Sequence, residues 1–293
     1  MDKIGIVGTG VMGLAAAVKI LDAGHALTVY DVAPAAADRA RQLGAQKADK
    51  PGEVARQSDI ILLFLPGPAE VIDCVTASEG LLAGSQPGQV IADMSTNDPG
   101  TSEQMSKQAE KYNVGYLDAP VLGRPISIGQ WALPVGGNEE FLDRCQSVFR
   151  LFASKVFHAG PSGTGHKIKL LNQLMFGAIN AMTAEMMAMA EKTGVPPRQL
   201  YEIITASQAG TVSNLFKELG GRVAEDNYAE PTFTVDLLVK DIKLAVQMAK
   251  DNNAPPLLAR SVELINEISQ VQGFGSKDTA IMWKSYQSIW EAK

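Results

Sequence analysis

The segment Gly163-Thr164-Gly165-His166-Lys167-Ile168-Lys169-Leu170-Leu171-Asn172 places two lysines and an asparagine within two helical turns. A lysine can give a proton to a carbonyl oxygen, or take one from an alcohol, when burial and neighbours lower its pKa. At about 100° per helical residue, Lys169 and Asn172 share a face, whereas Lys167 lies about 200° round from Lys169. One lysine can therefore work beside Asn172 while the other points away, although two ordinary surface lysines would read the same. Near the N-terminus, Gly8-Thr9-Gly10-Val11-Met12-Gly13 fits G-x-G-x-x-G. The first glycine permits a tight turn, the second lets a pyrophosphate approach the backbone, and the third lets a helix pack closely on the strand. The phosphates would then rest on a helix N-terminus, where N–H groups and the dipole favour anions. Three glycines alone are a weak signal, but here a strand-like Ile4–Val7 precedes them and the helical run Val11 to Ala23 follows. Asp31 then ends a second strand at about the spacing expected of a ribose-binding acid. Its carboxylate would accept from ribose hydroxyls and repel a 2′-phosphate. Val32 and Ala33 bring no cation to offset that repulsion, and Arg39 and Arg41 read as a solvated helix face. The expected cofactor is NAD, with NADP less favoured.

The elements that must position these residues alternate through the first half. Apolar β-rich runs at Lys3 to Val7, Ala26 to Tyr30, Ile60 to Leu65, Val90 to Asp93, Val114 to Leu117 and Lys155 to His158 are separated by helical stretches such as Pro34 to Leu43 and Thr101 to Lys111. Such alternation implies βα units on a mainly parallel sheet. From about Gly165 onward, 3.6-residue periodicity dominates. The first helix there runs from near Gly165 to Lys192, long enough to cross between domains, and Gly194-Val195-Pro196-Pro197 stops it. Met175, Met182, Met186 and Met189 share one of its faces and read as core or subunit-interface packing. The expected architecture is an α/β, Rossmann-like doubly wound N-terminal domain over 1–162 and an all-α C-terminal domain over 163–293, which binds substrate and forms a homodimer or homotetramer.

Composition narrows the partners. The 26 basic and 32 acidic residues leave a formal charge of −6, with no Lys/Arg-dense run to track a nucleic acid. The longest apolar run, Ile60 to Leu65, is far short of the roughly 20 residues that span a bilayer. With Met1-Asp2-Lys3 leading straight into a strand, a cytoplasmic location is expected. Cys74 and Cys145 read as reduced packing thiols. His25, His158 and His166 lack metal-ligand spacing, and His166 reads as a surface histidine at a helix start in preference to a group that tunes Lys169. Hydrolase and kinase motifs are not seen.

The Gly8 to Gly13 motif with Met12, Asp118-Ala119-Pro120-Val121, the Gly163 to Asn172 segment and Lys240-Asp241 resemble, in block order over essentially the whole chain, the signature blocks of the β-hydroxyacid dehydrogenases. That family includes 3-hydroxyisobutyrate dehydrogenase, tartronate semialdehyde reductase and sulfolactaldehyde reductase. The resemblance implies that Lys169 is the catalytic general acid/base and that Asn172 positions the substrate. It also implies that Lys240 closes over nicotinamide and substrate, while Leu65-Pro66 and Thr96 line the cofactor. The chain departs from the family in its substrate loop, where Asp-Ala-Pro-Val-Ser-Gly-Gly is usual and Asp118-Ala119-Pro120-Val121-Leu122-Gly123-Arg124-Pro125 stands here. Leu122 removes a hydroxyl, Arg124 adds a planar donor fork suited to carboxylate, sulfonate or phosphate, and Pro125 holds Arg124 extended. Leu122, Gly123 and Arg124 are thus expected to meet a small anionic substrate. The main expectation is an NAD-dependent dehydrogenase of a β-hydroxyacid or acid semialdehyde. A sulfolactaldehyde-type reductase, whose arginine lies one residue away, and a non-catalytic NAD-binding redox sensor are the alternatives.

Overall fold

In the computed structural model, residues 2–206 and 213–291 are described. Two compact units divide the chain between Lys169 and Leu170. The first carries one eight-stranded sheet, β1 (Ile4–Val7), β2 (Leu27–Tyr30), β3 (Gln46–Lys47), β4 (Ile60–Leu63), β5 (Val90–Asp93), β6 (Gly115–Asp118), β7 (Trp131–Gly136) and β8 (Ala153–Gly160), in the order β3-β2-β1-β4-β5-β6-β7-β8. Strands β1 to β6 run parallel. β7 turns antiparallel to β6, and β8 pairs parallel with β7. The crossovers are α1 (Val11–Asp22), α2 (Pro34–Gln42), α3 (Pro51–Arg56), α4 (Pro68–Thr76), α5 (Leu81–Gly84), α6 (Pro99–Glu110) and α7 (Glu139–Phe149). Proline opens α2, α3, α4 and α6, where its missing N–H would have had no helical partner.

The parallel strands are covered on both faces, so β1, β4 and β5 are buried at every residue. One core, around Ile4, Ile6, Ile20, Leu62 and Trp131, lies on one face; Val7, Ile61, Leu63, Val71 and Tyr116 belong to a second. Each such side chain contributes about 1.5–3 kcal/mol by leaving water. β3 and β7 were not expected. β3 is two residues long, and Pro134 interrupts the strand signal of β7. That proline is tolerated because β6 and β7 share a single registered pair, Asp118 with Gly136, with an isolated bridge from Leu122 to Ala132 beyond it.

The second unit continues α8 (Thr164–Lys192) and adds α9 (Pro197–Ala206), α10 (Asn214–Ala224), α11 (Val235–Asp251), α12 (Leu257–Ser269) and α13 (Met282–Glu291). Its described residues form no strand, as the periodicity indicated. Met187, Leu219, Val235, Ile281 and Met282 lie at its centre. The core reading of the four methionines fails for three of them: Met175, Met182 and Met189 are exposed. Among the described residues, no helix is long and apolar enough to cross a membrane.

Candidate active site

The loops leaving the C-terminal ends of β2, β1, β4, β5 and β6 carry, in that spatial order, Asp31, the Gly8–Gly13 turn, Leu65-Pro66, Thr96 and Leu122–Arg124. The strand order reverses beside β1, which is where ligands gather on open parallel sheets.

Each glycine of the turn has its own reason. Gly8 has φ +91°, and a Cβ there would lie 2.2 Å from the Phe64 carbonyl oxygen. A Cβ on Gly13 would lie 1.9 Å from the Gly8 carbonyl oxygen, so α1 can pack against the strand only without one. A Cβ on Gly10 would meet nothing within 4 Å. The fold itself does not demand glycine at that position, whereas a group lying against the backbone does. Gly10 caps α1 without a side-chain hydrogen bond, and Val11 beside it is exposed while Met12 packs toward the core. These features fit a dinucleotide pyrophosphate. Asp31 ties the turn to β2, accepting from Thr9 N at 2.7 Å and Ala33 N at 2.8 Å. Thr9 Oγ1 also donates to Oδ2 at 3.3 Å, so of the carboxylate's about four acceptor positions one, on Oδ1, is left for a ribose hydroxyl. Arg41 is exposed and pairs with Asp38 at 3.5 Å, as a solvated helix face would.

Leu65 N donates to Ser95 Oγ at 2.9 Å, joining the β4 and β5 loops ahead of Pro66. Thr96 is half-buried in the turn after β5. It is not the cap of α6, a role filled by Asp98, which accepts from Thr101 N at 2.8 Å.

At the end of β6, buried Asp118 accepts from Gly163 N at 2.7 Å and His166 N at 3.1 Å, and so anchors the start of α8. Burial pushes its carboxyl above the usual value, while His166 and those backbone amides pull against the shift. His166 is fully buried, which overturns the surface reading: its ring bonds to Ser102 Oγ at 2.6 Å and the Ser95 carbonyl at 3.0 Å. One turn on, half-buried Lys169 donates from Nζ to the Val121 carbonyl at 2.8 Å. Lys167 instead is exposed, 4.0 Å from Glu103.

The substrate-loop residues divide by what their backbone already does. The Leu122 N–H and C=O both pair with Ala132, at 2.9 and 3.1 Å, so only its side chain remains for a ligand. Gly123 is exposed, and a Cβ there would lie 2.3 Å from the Trp131 ring. Arg124 is extended at φ −120°, ψ 161°, with its N–H on Ser127 Oγ at 3.1 Å and its carbonyl on Trp131 Nε1 at 2.8 Å. The loop is thereby fixed along its backbone.

In the second unit, Asn172 is exposed, with Nδ2 3.5 Å from Gln173 Oε1. Lys240 Nζ lies 2.6 Å from buried Asp241 Oδ1, and Asp241 Oδ2 accepts from Gln173 Nε2 at 2.5 Å. Within the first unit, Ser95 and Ser102 were not legible as supports of these loops, because their partners Leu65 and His166 are distant in sequence. No cluster of three or more metal-ligating side chains is present among the described residues.

A glycine turn on β1, an acid on β2 and a lysine held beside the β6 loop define an NAD-binding oxidoreductase. The comparisons agree. Residues 3–160 match the NAD binding domain of 6-phosphogluconate dehydrogenase, and residues 163–286 match the family described as NAD-binding of NADP-dependent 3-hydroxyisobutyrate dehydrogenase. The chain is similar to a probable mitochondrial 3-hydroxyisobutyrate dehydrogenase of Dictyostelium discoideum, 30% identical over 96% of this chain and 89% of that one. It is also 30% identical to 2-(hydroxymethyl)glutarate dehydrogenase of Eubacterium barkeri, over 99% of this chain and 95% of the other. A crystal structure of 3-hydroxyisobutyrate dehydrogenase from Salmonella typhimurium superposes with a TM-score of 0.90 at 28% identity, covering 97% of this chain and 99% of that one. The chain belongs to the β-hydroxyacid dehydrogenase family.

Proposed function

We propose that this protein is an NAD-dependent dehydrogenase or reductase of a small acid bearing a β-hydroxyl or semialdehyde group, with Lys169 as general acid/base. The observation that carries this reading is the Lys169 ammonium held 2.8 Å from the Val121 carbonyl, against the loop that runs to Arg124. Gly8, Gly10, Val11, Met12, Gly13 and Asp31 hold the adenosine and pyrophosphate, and Leu65, Pro66 and Thr96 the remainder. A bound nicotinamide supplies the hydride in reduction and accepts it in oxidation. As the carbonyl becomes an alkoxide, Lys169 Nζ gives its proton to that oxygen; in the other direction the neutral amine takes the hydroxyl proton. Asn172 orients the substrate and Lys240 covers it.

Lys169→Ala is expected to bind NADH as before and to lose about two to four orders of magnitude in turnover with a panel of acid semialdehydes. NADH consumption at the unmodified rate would refute the assignment. A redox sensor would bind NADH and consume none with any substrate, even with Lys169 in place.

Arg124 supports a substrate whose anionic group meets a guanidinium, and the Eubacterium barkeri relative is named for a dicarboxylic acid. Arg124→Ala should raise KM for such a substrate about tenfold or more, the loss of a charge-assisted pair, with a smaller fall in kcat. Unchanged kinetics would remove Arg124 from the site, and preference for sulfolactaldehyde in the same panel would favour the sulfonate reading. Exposed Met175, Met182 and Met189 support a subunit interface in a dimer or tetramer, which light scattering would measure. Two buried free thiols support a cytoplasmic setting.

A further inference from the structure

The residues that would grip the cofactor lie on loops after different strands, and loops need a tie to hold them in register. The β4 and β5 loops are joined by Leu65 N on Ser95 Oγ. From Ser95 the connection runs on through its carbonyl to His166 Nε2 at 3.0 Å. A carbonyl only accepts, so Nε2 carries the proton. The same ring reaches α6 through Nδ1, 2.6 Å from Ser102 Oγ, which donates to it in the neutral tautomer; the alternative acceptor for that hydroxyl, the Asp98 carbonyl, is farther at 3.3 Å. The His166 backbone N–H is held in turn by Asp118. Ser95, Ser102, His166 and Asp118 are all buried, so little water competes for these bonds. Thr96 follows Ser95 directly, and Lys169 stands one turn beyond His166 on α8.

The geometry points to His166 as a positioning residue: its Nε2–H bond to the Ser95 carbonyl sets the Thr96 turn, which holds the cofactor, in register with the helix that carries Lys169. The inference rests on the cofactor and lysine assignments above. It adds a determinant built from the Ser95 carbonyl, the Ser102 hydroxyl and the His166 ring. A misplacement of about 1 Å in such a site can cost about 100-fold in rate, so a bond one step removed from the chemistry can govern it.

Side-chain length makes the idea testable. The amide nitrogen of glutamine reaches about as far as imidazole Nε2, whereas that of asparagine reaches only to the place of Nδ1. His166→Gln therefore keeps a donor for the Ser95 carbonyl, while His166→Asn keeps only the Ser102 side and His166→Leu keeps neither. Each variant is assayed by NADH fluorescence titration and by kcat and KM, at a temperature where circular dichroism shows it folded. We expect the Asn and Leu variants to weaken NADH binding about tenfold and to lower kcat/KM by about 10- to 100-fold, up to the cost of a misplacement of about 1 Å. His166→Gln should remain within about threefold of the unmodified protein. Folded Asn and Leu variants that bind NADH normally would overturn the proposal. So would equal losses in all three, which would mean that ring packing matters and the Ser95 bond does not. Should the Asn and Leu variants not fold, the ring nitrogens of the unmodified protein decide by ¹⁵N NMR. A protonated Nε2 with a bare Nδ1 that responds to Ser102→Ala is expected, and a proton on Nδ1 alone would overturn the assignment. Lys169→Ala, run alongside, is read by turnover and the His166 series by NADH affinity, so the reaction and the tie can fail separately.

Discussion

The two ends of the nucleotide-binding edge are built on different principles. At the β1–β2 end, backbone sterics dictate the residues: Gly8 and Gly13 are glycines because carbonyl oxygens occupy the space of their side chains, and Gly10 leaves an open approach. At the β5–β6 end, buried side chains do the positioning, with Asp118 and His166 linking strand ends to α8. In the first design Gly8 and Gly13 tolerate no side chain on steric grounds, whereas Gly10 does. The second depends on pairs far apart in the chain, where a change is felt as an unmade hydrogen bond.

Four variants would break or sharpen that contrast. The largest effect should come from Gly13→Ala, which forces a methyl into filled space and should destabilise by about 3 kcal/mol, read from the midpoint of urea unfolding. Gly10→Ala is its counterpart: stability should stay within about 1 kcal/mol while NADH affinity falls, and unaltered affinity would mean that no ligand uses that approach. At the other end, Asp118→Asn leaves either Gly163 N or His166 N without an acceptor and should cost about 1–3 kcal/mol. Because the folded protein holds the Asp118 proton to higher pH than the unfolded chain does, this group makes stability fall as pH rises above the ordinary aspartate value. Melting curves of the variant across acidic pH should lack that component of the slope, and parallel curves for both proteins would show that burial does not raise the Asp118 pKa. Asp31→Ser removes the carboxylate proposed to oppose a 2′-phosphate. The ratio of NAD to NADP affinity should fall about tenfold, equivalent to about 1.4 kcal/mol, and an unchanged ratio would remove Asp31 from that role.

What could be read from the sequence follows the same division. The glycine turn, Asp31, the parallel strands and the helical second unit were visible because their signals are local: steric requirements and periodicity. Asp118 was visible only as part of a block, without a role, since the amides it accepts from belong to Gly163 and His166. His166 was misread because its position at a helix start says nothing about the Ser95 carbonyl and Ser102 hydroxyl that enclose it. β7 was hidden by Pro134, whose tolerance depends on how sparsely β6 pairs there. Gln173 bonds Asp241 on another helix, a pairing no spacing rule encodes.

The crowding around Asp118 bears on how this protein can change over generations. A Cβ on Gly136 would come 2.5 Å from one carboxylate oxygen, and a Cβ on Gly165 would come 2.5 Å from the Asp118 carbonyl and 2.9 Å from the other carboxylate oxygen. Gly136 is blocked by the Asp118 side chain itself, so the effects of replacing Asp118 and Gly136 together should depart from the sum of the single effects, whereas Gly165 is held to glycine by the Asp118 and Pro134 backbone carbonyls as well. Mutational libraries aimed at new substrates will fare better if they freeze this trio and vary Leu122 and Arg124, whose side chains lie outside it.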